Sequence, residues 1–114
     1  MEKRNQITLE AFEKVDMRVG TIVGAAVNKK SRNPAYKLKI DLGEELGVKT
    51  SSAQITQLYT PEELLGRQVV VVANFPPVHI GDVTSQVRVL GSDSAQGVVL
   101  LSPTHPAKNG DRIF

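Results

Sequence analysis

Apolar and polar residues alternate with period two along most of this chain, and the longest such run frames the rest. From Asp16 to Asn28 the odd positions Met17, Val19, Thr21, Val23, Ala25 and Val27 form one mostly apolar face. The even positions Arg18, Gly20, Gly24 and Asn28 are small or polar, with Ile22 the exception. Period two predicts a long β-strand with one side in a core. The run exceeds the usual strand of about 5–6 residues, so it must bend to serve both ends of a barrel. Gly20 and Gly24 supply the bend, since glycine inside a strand marks a bulge or sharp coil. An edge strand with two tolerated glycines would carry the same pattern.

The segments around this strand read in order. Thr8 caps a short helix over Leu9–Lys14, with Glu10 in its first turn. Alone, a helix of this length is unstable and has to dock. From Ala35 to Leu42, Tyr36, Leu38, Ile40 and Leu42 point one way while Lys37, Lys39 and Asp41 point the other, which predicts a half-buried strand. Gly43–Gly47 reads as a turn and Val48–Ala53 as a third strand. Thr60, Pro61 and Glu62-Glu63 form a helix start, and Gly66 ends the helix. Val69–Ala73 is apolar on both faces, so both must be covered; in a small barrel the outer cover has to come from a helix or another subunit. Asn74–Pro77 is a loop in which either proline could be cis. Gly81-Asp82 is a turn, Val83–Leu90 a fifth strand, Gly91–Gly97 a loop and Val98–Leu101 a short strand. Beyond Ser102 the prolines and Gly110 predict an irregular tail.

A bent first strand, five strands in all and a helix between the third and fourth predict a mainly all-β protein. The arrangement is a five-stranded OB-fold, a Greek-key barrel, with a short N-terminal helix added. An SH3-like barrel is the alternative, but it would not place a helix there. Length agrees: 114 residues make residues 1–114 a single domain, and an apolar share of 40% is enough for one core. With no cysteine there is no disulfide, thiolate metal site or cysteine nucleophile, which fits a reducing compartment. No apolar run approaches the roughly 18 residues of a membrane span, and the polar N-terminus has no signal-peptide core. A cytoplasmic protein without membrane insertion is the expectation.

Catalysis finds little support. His79 and His105 match no metal-ligand spacing, Glu44-Glu45 and Glu62-Glu63 suit a turn and a helix start, and the glycines form no phosphate loop. The expectation is a protein that is not an enzyme, with no cofactor and no metal. The cations say more, although a net charge of +2 alone implies no polyanion. Lys29, Lys30, Arg32, Lys37 and Lys39 fall within residues 28–40, where there is no acid. Lys37 and Lys39 share the outward face of the second strand, beside Arg18 on the first. Cations spread along a surface suit phosphate contacts, and OB-folds take oligonucleotides on the strand two–three face. A merely solvated strand face would look the same. Aromatic residues are few and Tyr36 alternates inward, so recognition of a folded RNA by shape and phosphate fits better than base stacking.

Several stretches resemble a known family. Asp16-Met17-Arg18-Val19-Gly20 resembles the D-x-R-V-G opening of the tRNA-binding domain family, OB-folds appended to some aminoacyl-tRNA synthetases and their free-standing relatives. Ala35, Lys37 and Leu38 match its A-D-K-L motif, while Val72, Asn74 and Pro76 resemble its V-x-N-x-x-P stretch and Gly81 and Ser85 its G-x-x-S stretch, each one residue off the strict spacing. Val87 and Arg88 stand where the family has Gly-Met, so Arg88 adds a cation. Ser51–Thr56, Asn74–Pro77 and Val87–Gly91 are similar to a small free-standing member described as secretion-related and chaperone-like. The resemblance implies tRNA or another structured RNA as partner; the cationic face of Arg18, Lys29, Lys30, Arg32, Lys37 and Lys39 is where it is expected to bind, with Ser85 and Arg88 in reach. It also implies a homodimer built with segments 1–14 and 102–114. The competing expectation is a chaperone that takes unfolded or exported polypeptides in apolar pockets at the dimer interface. Leu9, Phe12, Phe75 and Val78 would line these pockets, or would simply seal the dimer.

Overall fold

The computed structural model describes residues 2–114. In chain order its elements are α1 (Leu9–Glu13), β1 (Met17–Val27), β2 (Tyr36–Asp41), α2 (Gly43–Leu46), β3 (Val48–Ala53), α3 (Pro61–Leu64) and β4 (Gln68–Val72). Five further strands follow: β5 (Val78–Ile80), β6 (Val83–Ser85), β7 (Arg88–Val89), β8 (Gly91–Ser94) and β9 (Gly97–Leu100). The halves of β1 serve different neighbours. Met17–Thr21 pairs antiparallel with β4, and Thr21–Val27 with β2. The sheet runs β3-β2-β1-β4-β7. Its two edges meet where the Gln86 amide donates to the Thr50 carbonyl at 2.8 Å. This nearly closed antiparallel barrel, with α3 between β3 and β4, is the expected OB arrangement.

The alternation predicted for β2 holds. Leu38, Ile40 and the following Leu42 are fully buried, together with Ile22, Leu64, Val69 and Val71. The parity predicted for β1 does not hold along its length. In its first half the even residues Gly20 and Ile22 face the core. Register then shifts at Val23, so that Ile22 opposes Ile40 while Ala25 opposes Leu38. One extra residue in a strand turns the alternation over. Val23, at the shift, is half exposed at 51%, and Val27, opposite Tyr36 at the end of the strand, is exposed to the same extent. Gly20 is required by this packing, since a Cβ there would lie 2.5 Å from Ile40 Cγ2 and 2.6 Å from Leu42 Cδ2.

At α3 the predicted start is a full capping box. Thr60 Oγ1 accepts from the Glu63 amide at 3.4 Å, Glu63 Oε1 accepts from the Thr60 amide at 2.9 Å, and Pro61 opens the helix. The predicted turn after β2 contains the single helical turn α2. The predicted fifth strand is broken. Its first part, β6, forms a hairpin with β5, and only β7 joins β4. Gln86 and Val87 interrupt it because both donate to Thr50 of β3. The predicted 91–97 loop is the hairpin β8–β9. Peptide bonds are trans among the described residues, those before Pro76 and Pro77 included.

The C-terminal segment is irregular but ordered against β1. Val19 donates to the Asp111 carbonyl at 2.9 Å, Gly110 to Val19 at 2.8 Å and Ile113 to Met17 at 2.9 Å. It thus extends the sheet along the half of β1 that β2 does not reach. Val19 and Val72, on the outer face, are buried within the single chain at 3% and 5% exposure. The outer cover expected from a helix or a second subunit is supplied here by the chain's own irregular tail.

Candidate nucleic-acid interface

Lys37 and Lys39 project from the outer side of β2. Cross-strand pairing sets Lys37 between Ala26 and Ser52, and Lys39 between Gly24 and Thr50. The small residues of β1 leave a trough of about 430 Å3 beside them, walled by Val23 and Val83. The loop carrying Lys29, Lys30 and Arg32 joins β1 to β2 at the same end, closed where the Asn28 amide donates to the Ala35 carbonyl at 2.9 Å. Those three cations are exposed. Lys37 and Lys39 thus share one face of β2, and the exposed cations Lys29, Lys30 and Arg32 lie on the loop that leads into that strand.

Arg18 lies elsewhere. It faces Val71 of β4, beyond the reach of the β1–β2 ladder. Its Nε and Nη2 donate to Asp16 Oδ1 and Oδ2 at 2.6 and 3.2 Å, and Nη1 donates to the Gly110 carbonyl at 3.1 Å. There it borders a different cavity, of about 810 Å3, with Glu44, Glu45 and Lys108. Asp16 in turn is fixed by Asn74, whose Oδ1 accepts from the Asp16 amide at 3.0 Å and whose Nδ2 donates to the Lys14 carbonyl at 2.7 Å. In this chain the D-x-R-V-G and V-x-N-x-x-P residues thus build the junction between α1, β1 and the tail.

The hydrogen bond from Arg18 holds the Asp16 carboxyl below its ordinary value of 3.8, and Asp16 raises the guanidinium in return. A carboxyl depressed in the fold adds stability above its unfolded value and loses it as acid protonates the folded form. Asp16→Asn should therefore cost about 1 kcal/mol at neutral pH. Its difference from wild type should close as the pH falls below 3.8. Urea melts across that range check both parts.

Ser85 and Arg88 sit beside a second groove, of about 520 Å3, with Phe75, Pro76, Val78 and Ile80. Ser85 is already engaged: it accepts from the Ser52 amide at 3.1 Å and donates to the Val87 carbonyl at 3.3 Å. Phe75 and Val78 are about half exposed, at 52% and 54%. The other two residues of the polypeptide expectation are on α1. Leu9 is exposed, while Phe12 lines a cavity of about 480 Å3 with Val15, Ile113 and Phe114. Phe75 and Val78 thus line one groove and Phe12 another, with Leu9 exposed on α1. Tyr36 is buried as expected, its hydroxyl donating to the Tyr59 carbonyl at 2.6 Å, so it offers no stacking platform. Among the described residues no three metal-ligating side chains cluster, and no helix is long and apolar enough to cross a membrane.

Sequence reading missed the β5–β6 hairpin and with it Asp82. The hairpin loop is Gly81-Asp82, and Asp82 Oδ2 lies 3.2 Å from Lys37 Nζ. Two residues between Val78–Ile80 and Val83–Ser85, with glycine first, are a hairpin signal of the primed-turn kind.

An OB-fold binding domain with a cationic outer strand face is the class that this architecture defines. The family follows: the model of the Putative tRNA binding domain matches residues 17–112, and the chain belongs to that family. The methionine–tRNA ligase of Archaeoglobus fulgidus is 38% identical over 113 residues, which are 99% of this chain and 17% of the ligase. That of Pyrococcus furiosus is 37% identical over 98% of this chain and 15% of the ligase. The chain thus spans about a sixth of the length of these curated relatives. Among solved structures, chaperone CsaA from Bacillus anthracis str. Ames is 46% identical with a TM-score of 0.89, over 96% of this chain and 100% of that one. The CsaA chaperone protein from Picrophilus torridus is 44% identical with a TM-score of 0.91, over the same shares. The small chaperone-like member that the sequence resembles is CsaA, and these two structures bear the resemblance out.

Proposed function

We infer that this protein binds structured RNA, above all tRNA, on the outer face of β2 and the adjoining β1–β2 loop. It does so without catalysis and without a cofactor, as a cytoplasmic homodimer. The observation that carries the reading is the side-by-side register of Lys37 and Lys39 over Gly24 and Ala26, with Lys29, Lys30 and Arg32 adjoining, in a chain of the tRNA-binding domain family. Cations in a row on a strand whose own aromatic, Tyr36, is buried suit a phosphate backbone of fixed shape better than splayed bases. The test is fluorescence anisotropy with a tRNA transcript over a salt series. If five phosphates are engaged, log affinity should fall with log salt at a slope of roughly −3.5 to −4.5. Salt-independent binding, or none, would refute the reading.

A second reading rests on the Phe75–Val78 groove and on the likeness to the CsaA chaperones. An unfolded or exported polypeptide bound there would depend little on salt and would show a negative heat-capacity change. Arg88, at the rim of this groove, would meet an acidic residue of such a peptide or a phosphate of the RNA.

The homodimer has its own support. Ile7 and Leu9 in the N-terminal segment are 71% and 72% exposed, and Phe114 is fully exposed. Apolar side chains clustered near two chain segments suit a two-fold, self-complementary contact. Sedimentation at micromolar concentration should give a species of two chains, and removal of residues 1–14 should shift it towards one. A monomer in the intact protein would remove the dimer from the reading.

A further inference from the structure

The Lys37–Asp82 contact places an acid inside the cationic face. The β5–β6 hairpin brings it there, and bonds that do not involve Asp82 hold the hairpin in place. Asn28, 3% exposed, donates from Nδ2 to the Ile80 carbonyl at 2.9 Å and to Ser52 Oγ at 3.2 Å. At the tip, Gly81 has φ +64, and a Cβ there would lie 2.5 Å from Asn28 Oδ1 and 2.7 Å from the Ser31 nitrogen. The tip thus sits against the basic loop itself. Further along, Thr50 Oγ1 donates to the Thr84 carbonyl, and Ser85 Oγ accepts from Ser52. These bonds fix the hairpin backbone, so the Asp82 carboxylate remains within reach of Lys37 as a competitor when a ligand arrives.

The pair is weak as a structural element. Both side chains are about a third exposed, at 36% and 34%, and exposed ion pairs add little to folding. Its consequence for binding is larger, because a carboxylate on a phosphate-binding face repels each phosphate that comes near. The other acid on this side of β2, Asp41, is engaged where its Oδ1 accepts from the Gly43 amide at 2.9 Å. Asp82 is therefore the acid that contacts this face, at Lys37.

We propose that Asp82 is an affinity- and specificity-setting residue of the RNA face: it occupies Lys37 in the free protein and competes with the incoming phosphate. The inference rests on the RNA reading above. A polyanion that also engages Lys39 and the loop cations displaces the carboxylate, whereas a single anion at Lys37 alone gains too little to do so. The structured polyanion is thereby favoured over isolated anionic groups.

The test is anisotropy with an unmodified tRNA transcript over a salt series, on wild type, Asp82→Asn, Asp82→Ser, Lys37→Gln, and the double variants Lys37→Gln/Asp82→Asn and Lys37→Gln/Lys39→Gln. Asp82→Asn should tighten binding about 3- to 10-fold at low salt and steepen the salt slope by up to about one. Asp82→Ser should act in the same direction, which separates lost charge from any effect of the amide. In the Lys37→Gln background the gain should largely vanish, because the competition needs both partners. If Lys37→Gln weakens binding while both Asp82 variants bind as wild type does, the Asp82 inference is overturned and the RNA face stands. If Lys37→Gln/Lys39→Gln also binds as wild type does, the RNA reading itself has failed. A gain from Asp82→Asn that persists in full without Lys37 would mean general charge repulsion, and would overturn the paired mechanism.

Discussion

Ile40→Ala should destabilise the protein by about 2–5 kcal/mol and lower its melting temperature by roughly 8–20 °C. Ile40 is wholly buried and faces Ile22, also wholly buried, across the β1–β2 ladder. The size of the loss depends on whether neighbours can collapse into the space. Here one neighbour is Gly20, which has no side chain to move, so the upper part of the range is expected. The same contact gives a coupled test. In wild type, Gly20→Ala forces a Cβ to within 2.5 Å of Ile40 Cγ2 and 2.6 Å of Leu42 Cδ2, an overpacking of about 1–3 kcal/mol. In the Ile40→Ala background the first of these clashes is gone. The double variant should then be more stable than the sum of the single losses, by an interaction of about 0.5–3 kcal/mol. Denaturant titrations of the four proteins check it, and strict additivity would mean that Gly20 and Ile40 do not share the packing described.

The residues that make this strand a barrel wall are also those that made it legible. From Tyr36 to Leu42 each inward residue is apolar and each outward one charged, and no bulge interrupts the run, so both the core and the lysine face could be read. The α3 start was legible for a similar reason: Thr60, Pro61 and Glu63 are local signals and form a local structure. In β1 the alternation was equally visible but was read with the wrong parity in its first half. Two glycines marked a bend without saying where the extra residue lay, and the shift falls at Val23 between Ile22 and Gly24. Ile22, the exception in the pattern, was the residue facing the core. The tail carries no periodicity because its bonds to Met17 and Val19 use the backbone, which any side chain permits.

The candidate site divides along the same line. Lys37 and Lys39 could be placed from alternation, but the partners of Arg18 and Lys37 could not. Asp16 lies two residues from Arg18, yet its bidentate contact depends on the tail at Gly110 and on Asn74, far away in sequence. Asp82 is 45 residues from Lys37 and reaches it only through the hairpin. Contacts of this kind are set by chain closure over long separations, which no local pattern records.

Lys37→Gln/Lys39→Gln should weaken tRNA binding roughly 10- to 30-fold at low salt while leaving the fold within about 0.5 kcal/mol of wild type. The two lysines are alternate residues of β2, about 7 Å apart at a rise of roughly 3.3 Å per residue. Phosphates along an RNA strand follow one another on a similar scale, so each lysine can meet its own phosphate. Each lost contact removes about 0.7–0.9 from the slope of log affinity against log salt, and the double variant should flatten it by roughly 1.4–1.8. Lys39 is exposed, and Lys37 is already shared with Asp82, so part of its contribution is offset and the observed loss should fall short of two free cations. Glu62→Gln/Glu63→Gln changes two charges at the start of α3, outside this face, and should leave the slope unchanged. The contrast with Ile40→Ala is the decisive feature: neighbouring residues of one strand should give opposite phenotypes, one losing stability with its surface charges unchanged, the other losing binding with its stability unchanged. If the lysine variant keeps the wild-type affinity and slope, the outer face of β2 is not the RNA site. The groove of Phe75 and Val78 then becomes the leading site, and Phe75→Ala should abolish peptide binding while the melting temperature holds.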